Sequence, residues 1–132
     1  MSLLLLDTTF LINAERIGGL PEGAIGDDDN VAVAAITIAE LLAGVHLAQG
    51  KRRSARQRLA SRVLDEIPVI PYDTAVASAH AGLLAEARRS GRPRGAHDLI
   101  IAATARATGR TVITAGTNAF TGLPGVEARP YR

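Results

Sequence analysis

The chain has 132 residues, 47% of them apolar, a formal charge of +2 and no cysteine. Disulfides and thiolate metal sites are therefore excluded, and no apolar stretch approaches the roughly 18 residues that a membrane-spanning helix needs. One domain over residues 1–132 is expected, soluble and cytoplasmic, because the short N-terminal Leu run follows no basic segment and ends at once in Asp7, unlike a secretory signal.

Leu3 to Leu6 is a continuous apolar run, the pattern of a strand covered on both faces. Thr8 or Thr9 can cap a short helix through about Arg16. Gly18 to Asn30 reads as a connection, with a short helical piece around Pro21 to Ile25. Val31 to Ala34 is the second strand, followed by a helix from about Thr37 to Leu47. Gly50 interrupts the pattern before a basic helix from about Arg53 to Asp65, and Val69-Ile70 forms a third strand between two prolines.

Asp73 or Thr74 can cap an Ala-rich helix running to Arg89, which the Ser90 to Gly95 stretch ends. A helix from near Ala96 should stop before Gly109. Thr111 to Thr114 is the fourth strand, and Val126 to Arg129 a fifth. Strands alternating with helices predict an α/β fold with a mainly parallel sheet flanked on both sides.

Such sheets gather ligands beyond the carboxyl ends of their strands. Asp7 leaves the first strand, Glu40 lies in the helix after the second, and Asp98 opens a helix after a Gly-rich break, so all three can face one crevice. Three carboxylates repel one another unless protons or a cation intervene, and an all-oxygen donor set suits Mg²⁺ or Mn²⁺. Each acid also has a purely structural reading. Asp7 can cap the first helix, Thr37-Ile38-Ala39-Glu40 fits a capping box, and Asp98 suits the positive end of a helix dipole. His46, His80 and His97 lack zinc-motif spacing, although His97 adjoins Asp98, and no phosphate-binding Gly loop is present.

Lys51 is the one lysine among 15 basic residues. Lys51, Arg52, Arg53, Arg56, Arg58 and Arg62 form one cluster without an acid inside it, and Arg88, Arg89, Arg92 and Arg94 a second. Either can grip phosphate through guanidinium forks or simply form a solvated helix face. With four aromatic residues in all, a base-stacking platform is not expected. A phosphoacceptor receiver domain is disfavoured, since no acid pair ends the first strand and Lys51 lies outside any strand.

Four segments together carry a family likeness over nearly the whole chain. They are Leu4-Leu5-Leu6-Asp7-Thr8-Thr9, Ile36-Thr37-Ile38-Ala39-Glu40-Leu41, Asp98-Leu99-Ile100-Ile101-Ala102-Ala103-Thr104-Ala105, and Val112-Ile113-Thr114 with a loop ending at Phe120. In these the chain resembles the PIN-domain ribonucleases, particularly the VapC toxins of bacterial toxin–antitoxin pairs. The resemblance implies a three-layer α/β/α domain, Mg²⁺- or Mn²⁺-dependent RNA cleavage, a homodimer and inhibition by a VapB-type antitoxin. Carried over by position, Asp7, Glu40 and Asp98 form the acidic metal site, with Thr8 and Thr114 as hydroxyl supports. Arg52, Arg53, Arg56, Arg92 and Arg94 would hold the RNA backbone. The family pattern also places Asp or Asn two residues beyond the strand's Thr, and often another acid just before the Phe. Those places hold Gly116 and Ala119. Asn118 is polar and near, but no role transfers to it. A PIN-like domain that binds antitoxin or RNA yet cleaves weakly is the alternative.

Overall fold

The computed structural model describes residues 1–19 and 25–130. Five strands, β1 (Leu3–Leu6), β2 (Asn30–Ala34), β3 (Val69–Ile70), β4 (Thr111–Thr114) and β5 (Ala128–Pro130), form one sheet in the order β3-β2-β1-β4-β5. Every pairing is parallel. Helices α1 (Thr8–Arg16), α2 (Ala35–Leu47), α3 (Gly50–Glu66), α4 (Thr74–Ser90) and α5 (Ala96–Thr108) supply the outer layers, and a 3₁₀ turn spans Thr117–Ala119. The expected α/β/α architecture is the one observed. The helical piece expected around Pro21 to Ile25 falls mainly on residues 20–24, outside the described residues.

Alternation along β1 explains its unbroken run of leucines. Leu5 packs with Val112, Ala32 and the inner faces of α4 and α5, among them Leu83, Leu99 and Ala102. Leu4 and Leu6 point the other way, into a second core with Phe10, Leu11, Leu41 and Val63 from α1, α2 and α3. A strand between two helical layers has no face for water, so alternation with polar residues is absent.

Helix ends follow local chemistry at four of the sites that matter here. Asp7 caps α1 and Asp73 caps α4, each accepting the amide three residues on. Gly91 and Gly109 close α4 and α5 in the left-handed conformation, at φ +67° and +64°. Other boundaries differ from the sequence reading. Of the caps the sequence offers for α1, the structure uses Asp7 and not Thr8 or Thr9. Helix α3 starts three residues early at Gly50, whose φ of +60° turns the chain out of α2. The last strand is Ala128–Pro130 instead of Val126 to Arg129, because Ala128 is the first residue to pair with Val112.

The largest correction concerns α2. It starts at Ala35, directly from β2, and its cap residue Ala34 offers no side-chain hydrogen bond. Thr37 therefore lies inside the first turn, fully buried, and the capping box anticipated for Thr37 and Glu40 does not form.

Leu5 sits on the central strand with no exposed surface. Leu5→Ala should destabilise the fold by about 2–5 kcal/mol, seen as a lower denaturation midpoint at unchanged m-value.

Candidate active site

Strand β1 is flanked by β2 on one side and β4 on the other, so the chain reverses its direction of travel between β1 and β4. A crevice opens at that switch point, beyond the strands' carboxyl ends. Asp7 and Thr114 stand beside each other there. Leu6 is in register with Ile113, and the Asp7 amide donates to the Ile113 carbonyl at 3.1 Å.

Asp7 is only 3% exposed. Its Oδ1 accepts from the Phe10 amide at 2.9 Å and from the Thr9 hydroxyl at 2.8 Å. Burial pushes its pKa above the ordinary Asp value against the hydrogen bonds of Thr114, Phe10 and Thr9, and the charge of Glu40 adds to the rise. The Thr9 hydroxyl also lies 3.3 Å from that of Thr114 and accepts from the Ala115 amide, joining the first turn of α1 to the start of the loop after β4.

Glu40 projects from the second turn of α2 toward the same crevice. Its Oε1 accepts from the Thr8 hydroxyl at 2.6 Å, and its Oε2 lies 3.2 Å from His97 Nδ1. The carboxylate is thus held from both sides, by α1 and by α5, instead of reaching back to its own helix start.

Asp98 lies in the first turn of α5, partly buried. Among the described residues nothing donates a hydrogen bond to its carboxylate. Its pKa is raised first by burial, then by the charges of Asp7 and Glu40, with His97 pulling the other way. Gly95 leaves it room, since a Cβ there would stand 2.7 Å from Asp98 Oδ2. All three acids therefore share one electrostatic field, and in Asp7 and Asp98 that field opposes ionisation. The donor set is oxygen-only and short of positive charge, which is chemistry that a hard divalent cation fits. Among the described residues, no three Asp, Glu, His or Cys groups are close enough to enclose an ion by themselves.

A family model for the PIN domain matches residues 4–124. The chain belongs to the PIN-domain family. It is 40% identical over 96 residues to VapC ribonuclease Y4jK of Sinorhizobium fredii, a match covering 70% of this chain and 69% of that protein. It is 33% identical over 128 residues to Toxin FitB of Neisseria gonorrhoeae, covering 89% and 91%. Among solved structures, VapBC-5 from Mycobacterium tuberculosis, a VapBC toxin–antitoxin system, superposes with a TM-score of 0.82 at 30% identity, over 98% of this chain and 99% of that one.

The loop after β4 carries Gly116 and Ala119 at the two places where the resemblance led us to expect acids. The Thr114 hydroxyl accepts from the Gly116 amide at 3.1 Å and donates to the Gly116 carbonyl at 3.2 Å. Gly116 has an extended backbone, φ −136°, and nothing lies within 4 Å of where its Cβ would be. Ala119 is half-buried against the α4–α5 core.

The arginines divide by task. Arg94 donates to the carbonyls of Asn118, Ala119 and Thr121, so its guanidinium clamps the loop beside the site, a structural task where the sequence suggested phosphate binding. Arg92 is exposed and leans over Gly122. Arg52 and Arg56 line a cleft that contains Glu40, whereas Arg53 faces a separate depression with Val45 and Gln57. Sequence reasoning passed over Thr9 as a site residue and noted His97 only as the neighbour of Asp98. For Thr9 the available signal was a hydroxyl two positions after the buried acid.

The raised Asp7 pKa has a consequence for stability. The folded state binds the Asp7 proton more tightly than the unfolded chain does, so its ionisation costs no stability below about pH 4, and stability is lost as pH rises from the ordinary Asp value through the shifted one. Asp7→Asn keeps a capping oxygen for the Phe10 amide and removes the charge. In metal-free protein it should melt higher than wild type at pH 7, and the difference should shrink on acidification toward pH 4. Asp7→Ala lacks the cap, about 1 kcal/mol, and should fall below Asp7→Asn at every pH.

Proposed function

We propose that this PIN domain is an Mg²⁺- or Mn²⁺-dependent endoribonuclease toxin, active in the cytoplasm and held in check by a VapB-type antitoxin. The observation that carries the reading is the convergence of Asp7 and Asp98, both pushed toward protonation by burial and by neighbouring acids, at the switch point of a parallel sheet. The ribonuclease and toxin names of its relatives support the same reading.

Asp7 and Asp98 would hold the ion, with Glu40 contributing through water. Mg²⁺ keeps several waters and commonly takes only one or two protein carboxylates, so three mutually spaced acids suffice. When bound, such an ion supplies charge neutralisation at a phosphodiester oxygen and a more acidic water. The protein's own part is placement. Thr9 and Thr114 fix the Asp7 carboxylate, Thr8 and His97 fix that of Glu40, and Gly95 leaves Asp98 free to approach. Removing Asp98, which accepts no hydrogen bond among the described residues, isolates its chemical contribution. Asp98→Ala should keep its fold by circular dichroism and lose Mn²⁺-dependent RNA cleavage by at least about 100-fold, the scale of losing one preorganised charge-stabilising group. Unchanged cleavage would rule this mechanism out.

A second reading is favoured by Gly116. With no carboxylate at the loop after β4, the site holds its ion weakly and cleaves slowly. The open space and unstrained backbone at this position mean that Gly116→Asp can be made without displacing anything. Tighter Mn²⁺ binding by titration calorimetry together with faster cleavage is the expected result. If neither improves, the deficit does not lie at this position.

A further inference from the structure

The cleft enclosed by α1, α2 and α3 has a volume of about 340 Å³ and Glu40 at one side. Three guanidinium groups line it: Arg16 from the last turn of α1, and Arg52 and Arg56 from α3. Glu15 and Glu40 are the acids of the same cleft, yet no described carboxylate lies within 4.0 Å of any of the three guanidiniums. Nor, among the described residues, does any of them donate to a backbone carbonyl, in contrast to Arg94, Arg106 and Arg110. The cleft therefore carries three unpaired guanidiniums against two carboxylates, directly beside an acidic site.

Its walls are not only charged. Ile12 and Leu59 give it apolar surface. Gly44 gives Arg56 its seat, because a Cβ at that helical position would stand 2.9 Å from Arg56 Nη1. Half-buried Arg56 is thus held low in the cleft, with exposed Arg52 and Arg16 above it. Guanidinium forks match phosphate oxygens, and an apolar wall can take the face of a sugar or base.

We propose that this cleft is a subsite of the substrate path, in which Arg16, Arg52 and Arg56 each hold one of the backbone phosphates adjoining the one presented to Asp7 and Asp98. The inference rests on the ribonuclease reading and deepens it. It assigns substrate binding to Arg16, which neither basic cluster of the sequence contains, and withdraws it from Arg94.

The test measures binding of a labelled single-stranded RNA of mixed sequence to the full chain, in EDTA, across a range of NaCl concentrations. Alongside it, wild-type protein is assayed for cleavage of the same RNA with Mn²⁺. Each phosphate contact contributes about 0.7 to the slope of log affinity against log salt for single strands, so R16Q/R52Q/R56Q should lower the slope by about 2. The control R88Q/R89Q/R129Q removes equal charge from the last turn of α4 and from β5, and should leave the slope near wild type. Should the triple variant not fold, Arg52→Gln alone, exposed near the start of α3, should lower the slope by about 0.7. Gly44→Ala keeps all charges, displaces Arg56 and should weaken RNA binding several-fold while raising the melting temperature, since Ala is the better helix former.

An undiminished slope in the cleft variants overturns the proposal. If wild type still cleaves RNA in that case, the ribonuclease reading stands and only the subsite falls. If wild type neither cleaves nor binds RNA, both fall. If the triple variant keeps the wild-type slope but no longer binds a VapB-type antitoxin, the cleft is a protein-docking surface and the proposal is wrong.

Discussion

The Asp7 carboxylate is buried at the end of the central strand, where its surroundings both require an acceptor and penalise a charge. The first turn of α1 presents free amides there, and Oδ1 takes the Phe10 amide at 2.9 Å. This bond fixes the angle at which α1 leaves the sheet, and with it the fully buried Phe10 that anchors the second core. The same angle sends Thr8 toward Glu40 on α2 and Thr9 toward Thr114 on β4. Capping and site-building are therefore one interaction. The two readings of Asp7 open at the level of sequence do not compete, because a carboxylate that uses Oδ1 as a cap still carries a charge that burial makes unfavourable until a cation or proton meets it.

Glu40 shows the opposite outcome. Thr37 and Glu40 have the spacing of a capping box, and nothing local argues against it. The start of α2 is set instead by the sheet. β2 must run to Ala34 to pair with Ile70 of β3, and the chain enters the helix with no loop between. Moving the helix start two residues earlier carries Thr37 into the core and turns Glu40 toward Thr8 and His97. Tertiary pairing overrode a local signal, and the override freed the acid for the crevice. Where local chemistry met no such competition, the sequence was a sound guide. The β1 and β4 strands, the Asp73 cap and the glycines closing α4 and α5 were all legible. The pairing of Thr8 with Glu40 spans 32 residues and the clamp of Arg94 spans 24 to 27. No periodicity reports contacts of that separation.

The loop after β4 is held without any contribution from the side chain at position 116. Thr114 holds the Gly116 amide and carbonyl, and Arg94 holds the carbonyls of Asn118, Ala119 and Thr121. Every one of these bonds ends on main-chain atoms. The loop's course is consequently indifferent to the side chain at 116, and a glycine there changes the charge of the crevice and little else. Phe120, buried beneath the loop, anchors it from the core.

The distribution of arginines follows from the same economy of backbone acceptors. Arg110 reaches the carbonyls of Leu4 and Asn30, Arg106 that of Pro124, and Arg94 those of the β4 loop. Burial lowers the Arg110 pKa, but a guanidinium stays charged over any accessible pH, so these residues act as permanent cross-links between strands and loops. Arg16, Arg52 and Arg56 donate to no carbonyl among the described residues, and they line the cleft beside Glu40. A polyanion approaching this surface meets carboxylates at one point and guanidiniums beside them. The carboxylates repel it unless a cation intervenes, while the guanidiniums attract it without help. Affinity for the chain of phosphates would then come from the cleft, and the cation would be needed only at the phosphate that reacts. Such a division would let substrate grip and ion binding vary separately, because the guanidiniums of the cleft and the carboxylates of the crevice sit on different side chains.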